Sequence, residues 1–176
     1  FGIPIVQGIE DHRHIQALIL SPTRELAIQV AEEIGNIGRA KRIRAVPVYG
    51  GQPIERQIRA LKSGVPIVIG TPGRLLDHIH RGTIKLDHVR YLVLDEADEM
   101  LNMGFTDSIN AILADVPQER NTLLFSATMS PEIARISKNY LRNAKEITIG
   151  RKNESTSNVK HVAYTCLLYT SDAADD

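Results

Sequence analysis

Two hydrophobic periods alternate along this chain. Short β-favouring runs recur at Ala17 to Leu20, Ala45 to Val48, Ile67 to Ile69, Tyr91 to Leu94, Thr122 to Phe125 and Glu146 to Ile149. Between them apolar residues return at helical spacing: Leu26, Val30, Ile34 and Ile37; Ile54, Ile58 and Leu61; Phe105, Ile109, Ile112 and Val116; Ile133, Ile136 and Tyr140. A strand pattern that alternates with amphipathic helices predicts an α/β fold with a mostly parallel sheet flanked by helices. Pro47 lies inside one predicted strand and removes a ladder donor, which places that strand at an edge or kinks it. Pro66 stands at a strand start, where the missing donor costs less.

After residue 150 the pattern stops. Arg151 to Asn158 is a polar run that reads as a linker, and Val159 to Thr165 reads as the first strand of a further unit. Residues 166–176 hold the single Cys and no basic residue, and the string resembles the translation of a transposon-type sequencing adaptor, so it is set aside as a non-native tail. That tail holds three of the 21 acidic residues and none of the 21 basic ones, so a formal charge of zero becomes +3 for residues 1–165. Near-neutrality argues against a chain-wide electrostatic grip on nucleic acid. A stretch without cysteine excludes disulfides and thiolate metal sites and fits a reducing, cytoplasmic setting. No apolar run is long enough to cross a bilayer, and the opening at Phe1 reads as mid-domain sequence rather than a secretory leader.

In an open α/β sheet, ligands bind beyond the carboxyl ends of the strands, so the residues just after each apolar run carry the candidate chemistry. These are Ser21-Pro22-Thr23-Arg24-Glu25-Leu26, Tyr49-Gly50-Gly51-Gln52, Gly70-Thr71-Pro72-Gly73-Arg74, Asp95-Glu96-Ala97-Asp98 and Ser126-Ala127-Thr128. The acidic tetrad admits two readings. Three crowded carboxylates favour a hard divalent cation such as Mg²⁺, shared with phosphate oxygens; alternatively the tetrad is a solvated acidic turn opening a helix. Thr23, and Thr71 with Pro72 behind it, are placed to cap helices whose N-termini attract phosphate, and Arg24 and Arg74 add charged donors. Gly50-Gly51 permits close backbone approach. The same residues are also routine turn and capping chemistry. His12-Arg13-His14 and His78-Ile79-His80 do not make a metal motif: the second pair points to different helical faces, and neither belongs to a recognised ligand set. No nucleophile elbow surrounds Ser126.

Taken together, Pro22-Thr23-Arg24-Glu25-Leu26, Gly50-Gly51, Thr71-Pro72-Gly73-Arg74, Asp95-Glu96-Ala97-Asp98 and Ser126-Ala127-Thr128 stand in the order and approximate spacing of the DEAD-box RNA helicase motifs, and residues 1–165 resemble that family. The resemblance implies a first RecA-like domain at 1–150, an interdomain linker and first strand of a second RecA-like domain at 151–165, and ATP and Mg²⁺ as cofactors. It implies that Asp95 holds Mg²⁺ through water, that Glu96 activates the attacking water, and that Asp98 couples to Ser126, Ala127 and Thr128. Pro22, Thr23, Arg24, Gly50, Gly51, Thr71, Pro72, Gly73 and Arg74 would hold RNA by its backbone, largely without regard to sequence. The helix from Gly73 to His80 resembles the family's strand-bending wedge.

The chain departs from the family in lacking GxxxxGK[ST], expected just upstream because Phe1-Gly2-Ile3-Pro4 resembles the helix after that loop. The adenine-reading segment and the second domain, with its arginine finger, lie outside as well. The expectation is therefore a helicase fragment with negligible ATPase or unwinding by itself, from a parent that separates short duplexes or remodels RNA–protein complexes. An ATP-gated RNA clamp or annealing protein uses the same motifs, and a DNA-directed helicase is a third reading. The sequence is closer to bacterial members linked to cold adaptation, ribosome assembly or RNA decay, which sets the expected partners.

Overall fold

The structure is a computed structural model and describes residues 1–149. The linker, following strand and tail expected at 151–176 lie outside the described residues. Five strands, β1 (Ala17–Leu20), β2 (Ala45–Val48), β3 (Ile67–Gly70), β4 (Tyr91–Leu94) and β5 (Asn121–Leu124), form one sheet in the order β2-β3-β1-β4-β5. Every pairing is parallel. The helices are α1 (Gly2–Gly8), α2 (Arg24–Ile37), α3 (Ile54–Lys62), α4 (Pro72–His80), α5 (Ala97–Asn102), α6 (Thr106–Asp115) and α7 (Pro131–Tyr140). β2, which carries Pro47, is an edge strand, as the missing donor requires.

Strand side chains alternate between two cores, one on each face. Leu18, Leu20, Val68, Leu92 and Leu94 pack with Leu75 of α4, Ile109, Ile112 and Leu113 of α6, and Ile133 and Ile136 of α7. Ala17, Ile19, Ile67, Ile69 and Val93 pack with Ile5 and Val6 of α1 and Ala27, Ala31 and Ile34 of α2. Central strands covered on both faces explain why β1 and β3 are apolar without alternation. Thr23 caps α2 by accepting from Leu26 N at 3.2 Å, and Ser130 caps α7 by accepting from Ile133 N at 3.2 Å.

Two expectations change. The buried stripe of α2 is Ala27, Ala31 and Ile34, while Ile37 is 42% exposed: small alanines bring the helix axis close to the sheet and turn Leu26 and Val30 toward the margin. The strand expected at Glu146 to Ile149 does not form. Among the described residues β5 is the last strand of the sheet, and a groove of about 640 Å³ lies between it and residues 141–147, so this segment meets no described ladder partner. Ile147 and Ile149 are accordingly exposed.

Two positions at the strand ends, Gly70 as the last residue of β3 and Ser21 just after β1, carry opposite constraints. A Cβ on Gly70 would meet Val48 O at 2.4 Å, a backbone contact that cannot rotate away. Ser21, fully buried after β1, has a hydroxyl with no hydrogen-bond partner. Gly70→Ala is expected to cost about 1–3 kcal/mol as β2 and β3 are forced apart. Ser21→Ala is expected to be neutral or to add up to about 1 kcal/mol, because it removes an unpaid desolvation. Urea denaturation of both variants measures the contrast.

Candidate functional site

The register aligns Val48, Gly70, Leu20, Leu94 and Leu124 as one row across the sheet, so the loops that follow them emerge at a single edge. Backbone bonds continue the ladder one step further: Ser21 N donates to Gly70 O at 2.9 Å, Thr71 N to Val48 O at 3.1 Å, Asp95 N to Leu20 O at 3.0 Å and Phe125 N to Leu94 O at 2.9 Å. All five sequence-predicted segments therefore share one surface, within reach of a single extended ligand.

At the β4 end the backbone turns sharply. Glu96 adopts φ 48°, ψ 52°, a left-handed conformation that a side chain with a Cβ enters only at a cost, and its carboxylate is exposed. Ala97 N then donates to Phe125 O at 2.9 Å, which ties the start of α5 to the end of β5. The acidic turn thus does open a helix, yet no side chain caps α5.

The two outer carboxylates of the tetrad have opposite environments. Burial pushes the Asp95 carboxyl above its ordinary range, only partly offset by the Glu96 backbone N–H. Burial acts on Asp98 too, but hydrogen bonds from the Thr128 hydroxyl and from the Thr128 and Ala127 amides outweigh it and hold that carboxyl below its usual range. Asp98 Oδ2 accepts from Thr128 N and from Thr128 Oγ1, both at 2.9 Å. The Ser126 hydroxyl itself donates to Thr128 O at 2.7 Å and so braces the loop that grips Asp98. Asp95, Glu96, Asp98, Phe125, Ser126 and Ala127 line an open cleft of about 420 Å³.

Among the described residues no group of three or more His, Cys, Asp or Glu side chains converges as a metal cage. A hydrated Mg²⁺ shared with phosphate oxygens needs only one or two carboxylates, and half-buried Asp95, destabilised as an anion, suits that arrangement.

The basic side of the edge is less uniform. Arg24 is exposed and pairs with neighbouring Glu25, Nη2 to Oε1 at 2.9 Å, an exposed contact of little energetic weight. Arg74 is partly buried, and its Nη1 donates to Gln52 O at 3.0 Å and Gln57 Oε1 at 3.2 Å. Thr71 is the N-cap of α4 and Pro72 its first residue, but the Thr71 side chain makes no cap bond, leaving its hydroxyl uncommitted. Gly51 has φ +76°, and a Cβ on Gly50 or Gly51 would meet nothing within 4 Å, so the turn is open to a ligand. Pro22 is buried beneath Thr23, and Gly73 is exposed at the start of α4.

His78 is fully buried and His80 exposed, on different faces as the spacing required. His14 hydrogen-bonds Asp11 and stacks on His88, with ring centroids 4.2 Å apart, and binds no ligand set. Gln57 was not anticipated. It sits in α3 three residues after Ile54 and four before Leu61, so a polar residue on an apolar stripe was the available signal.

A family model for DEAD/DEAH box helicases matches residues 1–136. The chain is 54% identical over 161 residues to the DEAD-box ATP-dependent RNA helicase CshA of Geobacillus kaustophilus, covering 91% of this chain and 34% of that protein. The Bacillus subtilis protein of the same name is 53% identical, with 91% and 33% covered. The crystal structure of a DEAD box protein from Methanococcus jannaschii superposes with a TM-score of 0.76 at 51% identity, covering 80% of this chain and 38% of that one. The chain spans about a third of the length of the curated relatives it matches.

Asp98→Ala is expected to lower stability by about 1 to 2 kcal/mol at neutral pH through loss of the Thr128 bonds. Because the folded-state pKa of Asp98 is depressed, that difference is fully present above the ordinary Asp range and fades as pH falls through the lowered value. Asp95→Asn is expected to shift the thermal midpoint upward, since it removes a charge that burial disfavours. Thermal melts of both variants from neutral to acid pH check the opposite signs.

Proposed function

Because the chain belongs to the DEAD/DEAH box helicase family, we propose that the full-length protein is an RNA-dependent ATPase that separates short RNA duplexes or remodels RNA–protein complexes. This chain is then the first of two RecA-like domains, with residues 151–165 leading into the second. The observation that carries the reading is the gathering of an acidic cleft and four small or basic loops on one edge of a parallel sheet, with Asp98 bonded to Thr128 across the boundary between β4 and β5. The relatives named above as ATP-dependent RNA helicases support it.

In this reading Asp95 holds a hydrated magnesium ion, which supplies charge neutralisation to the β- and γ-phosphates when bound. Glu96, held outward by its left-handed backbone, orients the attacking water and takes its proton. Asp98 reports the state of that cleft to the Ser126-Ala127-Thr128 loop. Pro22, Thr23, Arg24, Gly50, Gly51, Thr71, Pro72, Gly73 and Arg74 form the track for a ribose-phosphate backbone, giving RNA binding with little sequence preference. The phosphate loop belongs to a segment beyond this chain, and the groove beside β5 is the position we assign to its strand. The Phe1 and Phe125 rings pack at a tilt with centroids 5.4 Å apart, so a chain entering α1 from that groove turns at the same edge as Asp95. A cytoplasmic setting, and partners in ribosome assembly or RNA decay, complete the proposal.

ATP hydrolysis by the full-length protein is expected to rise severalfold or more on adding single-stranded RNA, and Glu96→Gln is expected to reduce turnover at least about 10²-fold while ATP still binds. A wild-type rate indifferent to RNA, or a Glu96→Gln variant that turns over normally, contradicts the reading. DNA that stimulates as well as RNA would redirect it to a DNA helicase.

A further inference from the structure

Gln57 makes four side-chain hydrogen bonds in a position where it is only 2% exposed. Its Nε2 donates to Tyr49 O at 2.9 Å and to Gln52 Oε1 at 3.0 Å, which holds both sides of the Gly50-Gly51 turn. Its Oε1 accepts from Arg74 Nη1 at 3.2 Å and lies 2.9 Å from His78 Nε2. Two donors and two acceptor sites are all a carboxamide has, so the group is saturated and its orientation is fixed. His78 completes the arrangement: its Nδ1 lies 2.8 Å from Thr83 Oγ1, and burial holds the imidazole below its ordinary pKa. A proton on Nε2 donates to Gln57 Oε1, and the Thr83 hydroxyl then faces two acceptors of His78, the ring Nδ1 at 2.8 Å and the carbonyl oxygen at 3.0 Å.

The consequence falls on Arg74. Both of its hydrogen-bond acceptors, Gln52 O and Gln57 Oε1, are neutral, and no carboxylate lies within salt-bridge distance of it among the described residues. Both bonds use Nη1, so Nε and Nη2 carry no hydrogen bond within the domain and keep their donors. A carboxylate at residue 57 would still accept from the guanidinium but would cancel the charge that a phosphate needs and, having no donor, would release Tyr49 O and Gln52 Oε1.

Resting on the reading that Arg74 and the Gly50-Gly51 turn face RNA, we propose that Gln57 is a positioning residue of that interface: one neutral amide locks the turn and Arg74 into a single unit and leaves the arginine charge free for a phosphate of the bound strand. Gln57 itself touches no ligand and acts through Arg74 and the Gly50-Gly51 turn.

The test uses the full-length protein with oligouridine RNA as probe. Gln57→Glu, nearly isosteric, is expected to raise the RNA concentration for half-maximal ATPase stimulation about tenfold, the scale of one charge-assisted hydrogen bond. The KM for ATP stays as in wild type. The slope of log affinity against log salt falls in magnitude by about 0.7, the loss of one single-strand phosphate contact. In an Arg74→Ala background the effect of Gln57→Glu on RNA half-saturation shrinks to what the loss of its Nε2 bonds to Tyr49 O and Gln52 Oε1 does to the Gly50-Gly51 turn. If Gln57→Glu does not fold, Gln57→Met removes the orienting acceptor without adding charge, and its weaker RNA half-saturation must likewise shrink in the Arg74→Ala background. A Gln57→Glu half-saturation within about twofold of wild type, or an effect undiminished by Arg74→Ala, overturns the inference. A wild-type ATPase that ignores RNA is a different failure: it removes the RNA reading itself and the inference with it.

Discussion

Everything at this site depends on the parallel register of the sheet. Parallel neighbours cannot be joined by tight hairpins, so each connection must cross over through a helix and return to the same starting edge. The carboxyl ends are thereby collected at the other edge, and the rows Val48, Gly70, Leu20, Leu94 and Leu124 put five loops at one height. Gly70 is where this arrangement is tightest: β2 and β3 approach so closely that Val48 O occupies the space of a side chain. The same closeness draws the Gly50-Gly51 loop after β2 toward the Arg74 loop after β3, which is what allows one glutamine from α3 to bond both.

Within that frame the acidic turn divides its labour by hydrogen bonding rather than by residue type. Asp95 and Asp98 are three residues apart and chemically identical, yet one is destabilised as an anion and the other stabilised. The difference arises because α5 begins between them. Asp95 directly follows β4, its N–H still bonded to Leu20 O, and meets mainly buried surface, whereas Asp98 lies in the first turn of α5, where Thr128 supplies both an amide and a hydroxyl. The left-handed Glu96 is the hinge of this division, since the chain must reverse there for Ala97 N to reach Phe125 O. A carboxylate short of a partner beside one fully satisfied suits the proposed roles, the first toward a cation and the second joining two loops.

How much of this was legible in the sequence differs by element. Period-two and period-3.6 patterns located all five strands and the main helices, and Pro47 marked the edge strand, because those signals are local and burial enforces them. The expectation at Glu146 to Ile149 failed for a nonlocal reason: a strand needs a neighbour, and propensity says nothing of whether one is present. The α2 stripe failed for a packing reason, since Ala27 and Ala31 are weak apolar signals individually but together permit a close helix–sheet approach. The motif residues were found as a set, but their individual situations were not. Nothing in Thr23 and Thr71 distinguishes the hydroxyl that caps a helix from the one that does not, and Gln57 was concealed by standing on an apolar face.

Arg24 and Arg74 show what the structure adds. In sequence each follows a Thr at a helix start, and each is a phosphate candidate on equal terms. In space they are held by opposite means. Arg24 lies against Glu25 on an exposed surface, where solvent screening makes the pair weak and easily exchanged for another anion. Arg74 is partly enclosed, and a carboxylate there would be a strong competitor for any phosphate because the local dielectric is lower. Neutral acceptors avoid that competition: they fix direction without consuming charge. The enclosed arginine can thus be rigid and still electrostatically available, whereas the exposed one gains availability from mobility. In the proposed track two adjacent loops thus hold an arginine by different physics, and only the enclosed one has a dedicated side chain, Gln57, bonded to it.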